Sequence, residues 1–164
     1  MDFEEVLQKR HSCRHYKMDP IEEEKKLALL KAAQMGPSGM NRRPYRFVWV
    51  ESKEAMEKVH DALIFGRYPC PNALLIVGDS RKSEKLWDQD CAAATENVLL
   101  MATNLGLGSV WCGCYPLDDR LRHLNVIASC EEGEHVFSVI LLGYPSEEDT
   151  AREKVFDESL ITTI

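Results

Sequence analysis

No run of about 18 consecutive apolar residues occurs in the chain, so no membrane-spanning helix is expected. A basic-then-apolar leader is missing too. Met1-Asp2-Phe3-Glu4-Glu5 is acidic where a secretory signal would carry positive charge, and a cytoplasmic protein is the expectation. Overall positive charge is also wanting: 20 Lys and Arg stand against 27 Asp and Glu, a net charge of −7. That balance argues against nucleic acid or an anionic membrane as a main partner and leaves a small anion in a local basic pocket. Nor is there zinc-ligand spacing. His11, His15, His60, His123 and His135 are dispersed, Cys112-Gly113-Cys114 has no second paired cluster, and no metal is expected. Finally, nothing linker-like interrupts the 164 residues, so one domain, 1–164, is expected. It is large enough to need no disulfide staples, and the six scattered cysteines read as free thiols.

Against this acidic background stands Arg10-His11-Ser12-Cys13-Arg14-His15-Tyr16. Arg10, Ser12 and Arg14 recur every second residue, so in an extended segment they project from one side and can grip a phosphate with its polar neighbours. The same residues also suit a solvated basic loop.

Phe3, Val6 and Leu7 give a short helix delivering that cluster. Asp19-Pro20 reads as the N-cap and first position of a second helix, which stops at Gly36-Pro37 because Gly favours a left-handed cap and Pro cannot continue. Gly36 to Tyr45 is a loop that either merely turns or cradles a ligand. Arg46 to Val50 predicts a buried strand, and Ser52 to Phe65 a capped helix with Ala55, Met56, Val59, Leu63 and Ile64 inward. Ala73 to Val77 is apolar throughout and predicts a central strand covered on both faces. Trp87 to Leu105 is apolar nearly all round, the mark of a core helix or of one covered by a second subunit; Thr95, Glu96 and Asn97 must then find partners. Gly106 and Gly108 follow a helix rather than a strand and do not make a dinucleotide fingerprint. Ser109 to Gly113 predicts a short strand, Asp118 to Leu124 a short helix, and His135 to Leu142 a buried strand. The tail from Ser146 is polar, carries Arg152 and Lys154, and ends in the semi-apolar Val155 to Ile164, which suits docking on a second subunit.

Four stretches in order resemble the nitroreductase family of FMN-dependent oxidoreductases, in particular its small members. They are Arg10-His11-Ser12-x-Arg14-x-Tyr16, Pro37-Ser38-Gly39-x-Asn41-x-Arg43-Pro44-Tyr45, Leu105-Gly106-Leu107-Gly108-Ser109-Val110-Trp111-Cys112-Gly113, and Gly143-Tyr144-Pro145 followed by a basic pair. The resemblance covers almost the whole chain. It implies an α+β three-layer sandwich with a central mixed or antiparallel sheet flanked by helices. It also implies an intertwined homodimer with exchanged C-terminal tails, FMN at the interface, and NADH or NADPH as reductant. Carried over by residue, Arg10, His11, Ser12 and Arg14 match the first FMN segment, Arg10 and Ser12 towards the phosphate or ribityl chain and Arg14 towards the ring. Pro37, Ser38, Gly39 and Asn41 match the segment that reaches the flavin of the other subunit. Cys112 and Gly113 match the loop presenting a backbone N–H near flavin N5, and Arg152 and Lys154 match the pair closing over the phosphate. Gly39, Arg43 and Tyr45 depart from the family's more frequent serine, glutamine and tryptophan, a change that makes the surroundings more cationic.

The activity so implied passes a hydride from NAD(P)H through flavin to a nitroaromatic, quinone or similar acceptor, with no catalytic side chain required because the cofactor carries the chemistry. A specialised relative doing reductive dehalogenation or flavin-consuming chemistry is the alternative, disfavoured because Ser52 to Ala73 leaves room for only a helix and a short turn in place of a lid. A flavin-binding dimer without turnover is the third reading.

Overall fold

The computed structural model describes residues 1–151 and 154–164. Four strands, β1 (Tyr45–Val50), β2 (Asn72–Asp79), β3 (Gly108–Gly113) and β4 (Glu134–Gly143), form one sheet in the order β1-β2-β4-β3. Every neighbouring pair is antiparallel, so the sheet is antiparallel and not mixed. The reason is visible in the register. Val50 ends β1 opposite Ala73 at the start of β2, so the connection between them is a closed excursion returning to the same end of the sheet.

Five helices, α1 (Phe3–Lys9), α2 (Glu23–Gln34), α3 (Lys53–Ala62), α4 (Trp87–Asn104) and α5 (Asp118–Ile127), complete an α+β sandwich. Side chains alternate across β2: Leu74 and Ile76 join Trp87, Cys91, Val98 and Ala102 of α4, while Leu75 and Val77 join Met56 and Val59 of α3 and Leu121 and Leu124 of α5. Because both faces are covered, all eight residues of β2 are buried, as its unbroken apolar run predicts. Thr95 and Asn97 of α4 are satisfied at specific partners. Thr95 Oγ1 donates to the Cys91 carbonyl at 2.8 Å and lies 2.9 Å from Ser138 Oγ on β4, and Asn97 Nδ2 donates to the Ala32 carbonyl of α2 at 3.1 Å.

Several local expectations are corrected. Helix α2 begins at Glu23, not at Pro20, because Ile21 packs against the core and keeps the entry segment out of the helix. Gly36 is not left-handed; its lack of a Cβ lets the chain pass α4, where a methyl would stand 3.3 Å from the Ala94 backbone nitrogen. Strand β1 is an edge strand, with only Val50 buried. In α3 the inward set is Met56, Val59, Ala62 and Leu63, while Ile64 turns outward at φ +52°. The tail beyond Lys154 lies exposed, with Val155, Phe156, Leu160, Ile161 and Ile164 all in solvent. No helix among the described residues is long and apolar enough to cross a membrane.

Candidate functional site

Helix α1 is short and capped by Asp2, whose carboxylate accepts from the Glu5 N–H, and it ends at Arg10 with the chain turning into extended backbone. From there the cluster runs along the free edge of β3, where Ser12 pairs with Ser109 in a parallel bridge and the Cys13 N–H donates to the Ser109 carbonyl at 3.0 Å. Cys13 is the inward residue of this extended segment. It is fully buried and so close to Gly108 that a Cβ there would lie 2.4 Å from its sulfur. Alternation therefore holds Ser12 and Arg14 on the outer side, as their spacing predicts.

The segment after β4 returns to this edge. Tyr16 bridges to Pro145, the Ser146 N–H donates to the His15 carbonyl, and the Asp149 carboxylate lies 2.5 Å from His11 Nε2 and accepts from the Arg14 N–H at 3.3 Å. His11 Nδ1 faces the Lys9 carbonyl at 2.9 Å, so the ring is engaged on both sides. The same return brings Lys154 onto the end of α1, where its ammonium donates to the carbonyls of Leu7 and Arg10. Partial burial and the neighbouring Arg10 cation hold Lys154 below its ordinary value, in that order of importance. Two cations packed together, with Glu96 at 3.8 Å from Arg10 Nε the one carboxylate paired to them among the described residues, form a place that an anion would stabilise. Arg152, the other member of the expected pair, lies outside the described residues.

At the far end of β3, Gly113 is exposed, and a Cβ there would meet nothing within 4 Å. Cys112 beside it is buried; burial pushes its thiol up to about 11, against smaller opposing effects of Arg120 and Arg14. It is a protonated packing residue at neutral pH. Arg14 reaches this end as well, its guanidinium 5.8 Å from the centre of the Tyr68 ring and donating to the Ser12 carbonyl. Arg120 of α5, which sequence reasoning missed, donates from Nη1 to the Gly113 carbonyl at 2.6 Å. Nothing in the periodicity of α5 marks it, because only the turn after β3 brings it there.

Pro37, Ser38, Gly39 and Asn41 sit in the loop before β1, across the sheet from β3, so one protomer does not bring them to the cluster. The loop is nevertheless firmly shaped. Asp90 at the start of α4 accepts from the Gly39 N–H at 3.0 Å, Ser38 Oγ accepts from the Arg43 N–H at 3.1 Å, and Met40, Asn41 and Arg43 all have φ between 45° and 54°. A side chain at Gly39 would meet Leu86 Cδ1 at 2.7 Å, the far end of a partly exposed side chain that can turn aside. A cavity of about 630 Å³ lined by Met18, Met56, His60, Cys70 and Asn72 shares no residue with the cationic edge.

Comparison with known proteins now decides the family: the sequence profile of the Nitroreductase family matches residues 7–65 and 70–144. The chain belongs to the nitroreductase family. A protein of Methanothermobacter thermautotrophicus with the provisional name NADH dehydrogenase/NAD(P)H nitroreductase is 39% identical over 165 residues, covering 98% of this chain and 86% of the relative. A crystal structure from Parabacteroides distasonis, provisionally given the same name, superposes with a TM-score of 0.92 at 32% identity, over 98% of this chain and 96% of that one. A nitroreductase with bound FMN from Desulfitobacterium hafniense matches at a TM-score of 0.82 and 25% identity, over 100% of this chain and 99% of the other. The nitroreductase fold is therefore this chain's fold.

Proposed function

We propose that this nitroreductase-family chain is an FMN-dependent NAD(P)H oxidoreductase acting as a homodimer. The observation that carries the reading is the one-sided cationic edge along β3. Arg10 and Lys154 crowd together at one end, and Arg14 stands over Tyr68 near Cys112, the neighbour of the open Gly113, towards the other. These residues fit a phosphorylated flavin. Arg10, Lys154 and Ser12 would hold the phosphate and ribityl end, and His11 fixes the strand through Asp149. Arg14 sets a positive charge beside the ring, which favours the reduced, anionic form, while Cys112 packs behind Gly113 and Gly113 presents its N–H. When bound, FMN supplies the two-electron relay.

Pro37, Ser38, Gly39 and Asn41 of the partner subunit complete the site in this reading. Their position across the sheet from β3 and the strained, well-anchored loop that holds them support it. So does the exposed apolar tail, which a second copy would cover by exchange. NADH or NADPH gives up a hydride and becomes NAD(P)⁺. The acceptor gains two electrons and two protons, one of them from solvent: a quinone becomes a hydroquinone, or a nitro group becomes nitroso with loss of water.

Anaerobic mixing of the flavin-loaded protein with NADH and, separately, NADPH should bleach the flavin absorbance, and failure with both would overturn the oxidoreductase reading. Arg10→Ala combined with Lys154→Ala should purify colourless as a folded dimer; full flavin stoichiometry in that variant would contradict the phosphate assignment.

A further inference from the structure

Three arginines of this acidic chain have a carboxylate within 4 Å among the described residues. Arg46 is held by Glu134 at 2.7 Å and Arg81 by Asp79 at 2.9 Å, and Arg10 has Glu96 at 3.8 Å. Arg14 and Arg120 have no such carboxylate among the described residues, which they share with the exposed Arg42, Arg43, Arg67 and Arg122, but unlike those four both act on Cys112. Both come to the neighbourhood of Cys112. Arg14 lies over Tyr68; Tyr68 and the Cys112 sulfur both flank Gly66, at 3.6 and 3.3 Å from its would-be Cβ; and Arg120 reaches the Gly113 carbonyl next to Cys112. Asp119, the nearest carboxylate in sequence, accepts from the backbone N–H of Arg120 and not from its side chain. Among the described residues the Nη1 bond to Gly113 is the one hydrogen bond of the guanidinium; Nε is buried without an acceptor, and Nη2 keeps its donors.

Building on the oxidoreductase reading, we infer that Arg120 makes this site selective for acceptors that carry a carboxylate on a flat aromatic ring. Arg14 serves the flavin, and Arg120 is the second cation, left over for the substrate. The ring of such an acceptor lies in the open space beside Gly113, and its carboxylate meets the guanidinium, the planar fork suited to that group. Arg42 and Arg43, exposed on the loop assigned to the other subunit, add charge of the same sign. The purpose is specificity: a flat open pocket accepts many oxidants, and one unpaired cation separates anionic from neutral ones.

The test uses the oxidised, flavin-loaded dimer titrated with benzoate and with benzamide, its uncharged isostere, read by calorimetry and by the shift in flavin absorbance. Benzoate should bind about tenfold or more tightly than benzamide, as a charge-assisted contact provides. Arg120→Gln should remove that preference, Arg120→Lys should keep part of it, and Arg122→Gln, on the exposed side of α5, should keep all of it. Turnover gives a parallel reading, in which the kcat/KM ratio of 4-nitrobenzoate to its methyl ester falls in Arg120→Gln. Equal affinity for the two ligands, or a preference intact in Arg120→Gln, would overturn the inference. If the substituted proteins do not fold, wild type decides alone: the preference should vanish near 1 M salt, roughly where screening reaches ~3 Å, and a preference that persists refutes the role of charge. Benzoate binding needs no reduction, so a protein that NAD(P)H cannot bleach would defeat the activity proposal and leave this selectivity separately measurable.

Discussion

Asp90 shows how much of the candidate site depends on single buried groups. It is 7% exposed; one carboxylate oxygen accepts from the Gly39 N–H, and the other has no partner among the described residues. A buried oxygen without a partner is costly, and the other oxygen pins a loop with three left-handed non-glycine residues. Asp90→Ala should destabilise the protein by about 1–3 kcal/mol in urea unfolding and weaken FMN retention, whereas Asp90→Asn, which keeps an acceptor, should lose less. Wild-type stability and flavin content in Asp90→Ala would show that the loop holds itself. Asp90 was not legible beforehand. In the sequence it is one acidic residue in the first turn of a helix, and only the fold brings Gly39 to it. Arg10, Ser12 and Arg14 were legible because alternation along an extended segment is a local property.

At the scale of elements, hydrophobic period placed most of the structure. The unbroken run Ala73 to Val77 predicts the buried β2, and the apolar Trp87 to Leu105 predicts α4, because burial on two faces demands it locally. The boundaries that moved were set by neighbours, as where Ile21 docks and delays α2, or where Ile64 turns outward after α3. The contact of β2 with α4 depends on Gly78, whose added Cβ would lie 2.3 Å from Trp87 Cε3 and 2.8 Å from Cys91 Sγ. Its φ is not in the left-handed region, so the constraint is packing alone. Gly78→Ala should therefore cost roughly 1–3 kcal/mol by overpacking, and pairing it with Cys91→Ala and Trp87→Phe should recover part of the loss in the same unfolding assay. No recovery would mean that the strain falls on the backbone instead.

For the molecule as a whole, the free thiols set an alkaline limit. Burial pushes Cys13, Cys70, Cys91 and Cys114 up to about 12 and Cys112 up to about 11, from an ordinary value of 9.0. The unfolded chain releases these protons near 9 while the native one retains them, so stability is full below that pH and falls as pH rises towards 11–12. The urea midpoint should decline between about pH 8 and pH 10, less steeply in Cys91→Ala; a flat profile would place the thiols in water. Assembly is the other whole-molecule property at stake. Sedimentation should give a dimer, and removal of residues after Lys154 should weaken it, since five large apolar side chains of that tail lie exposed in the single chain. The sequence by itself determined the elements, the alternating cationic segment and the family likeness, because each rests on periods and motifs within a few residues. Tertiary structure alone decided that Lys154 donates to the Arg10 carbonyl, that Arg120 reaches Gly113, and that Pro37 to Asn41 stand across the sheet from β3. Those contacts join segments far apart in the chain, and their energies depend on strand order and register, which no local pattern encodes.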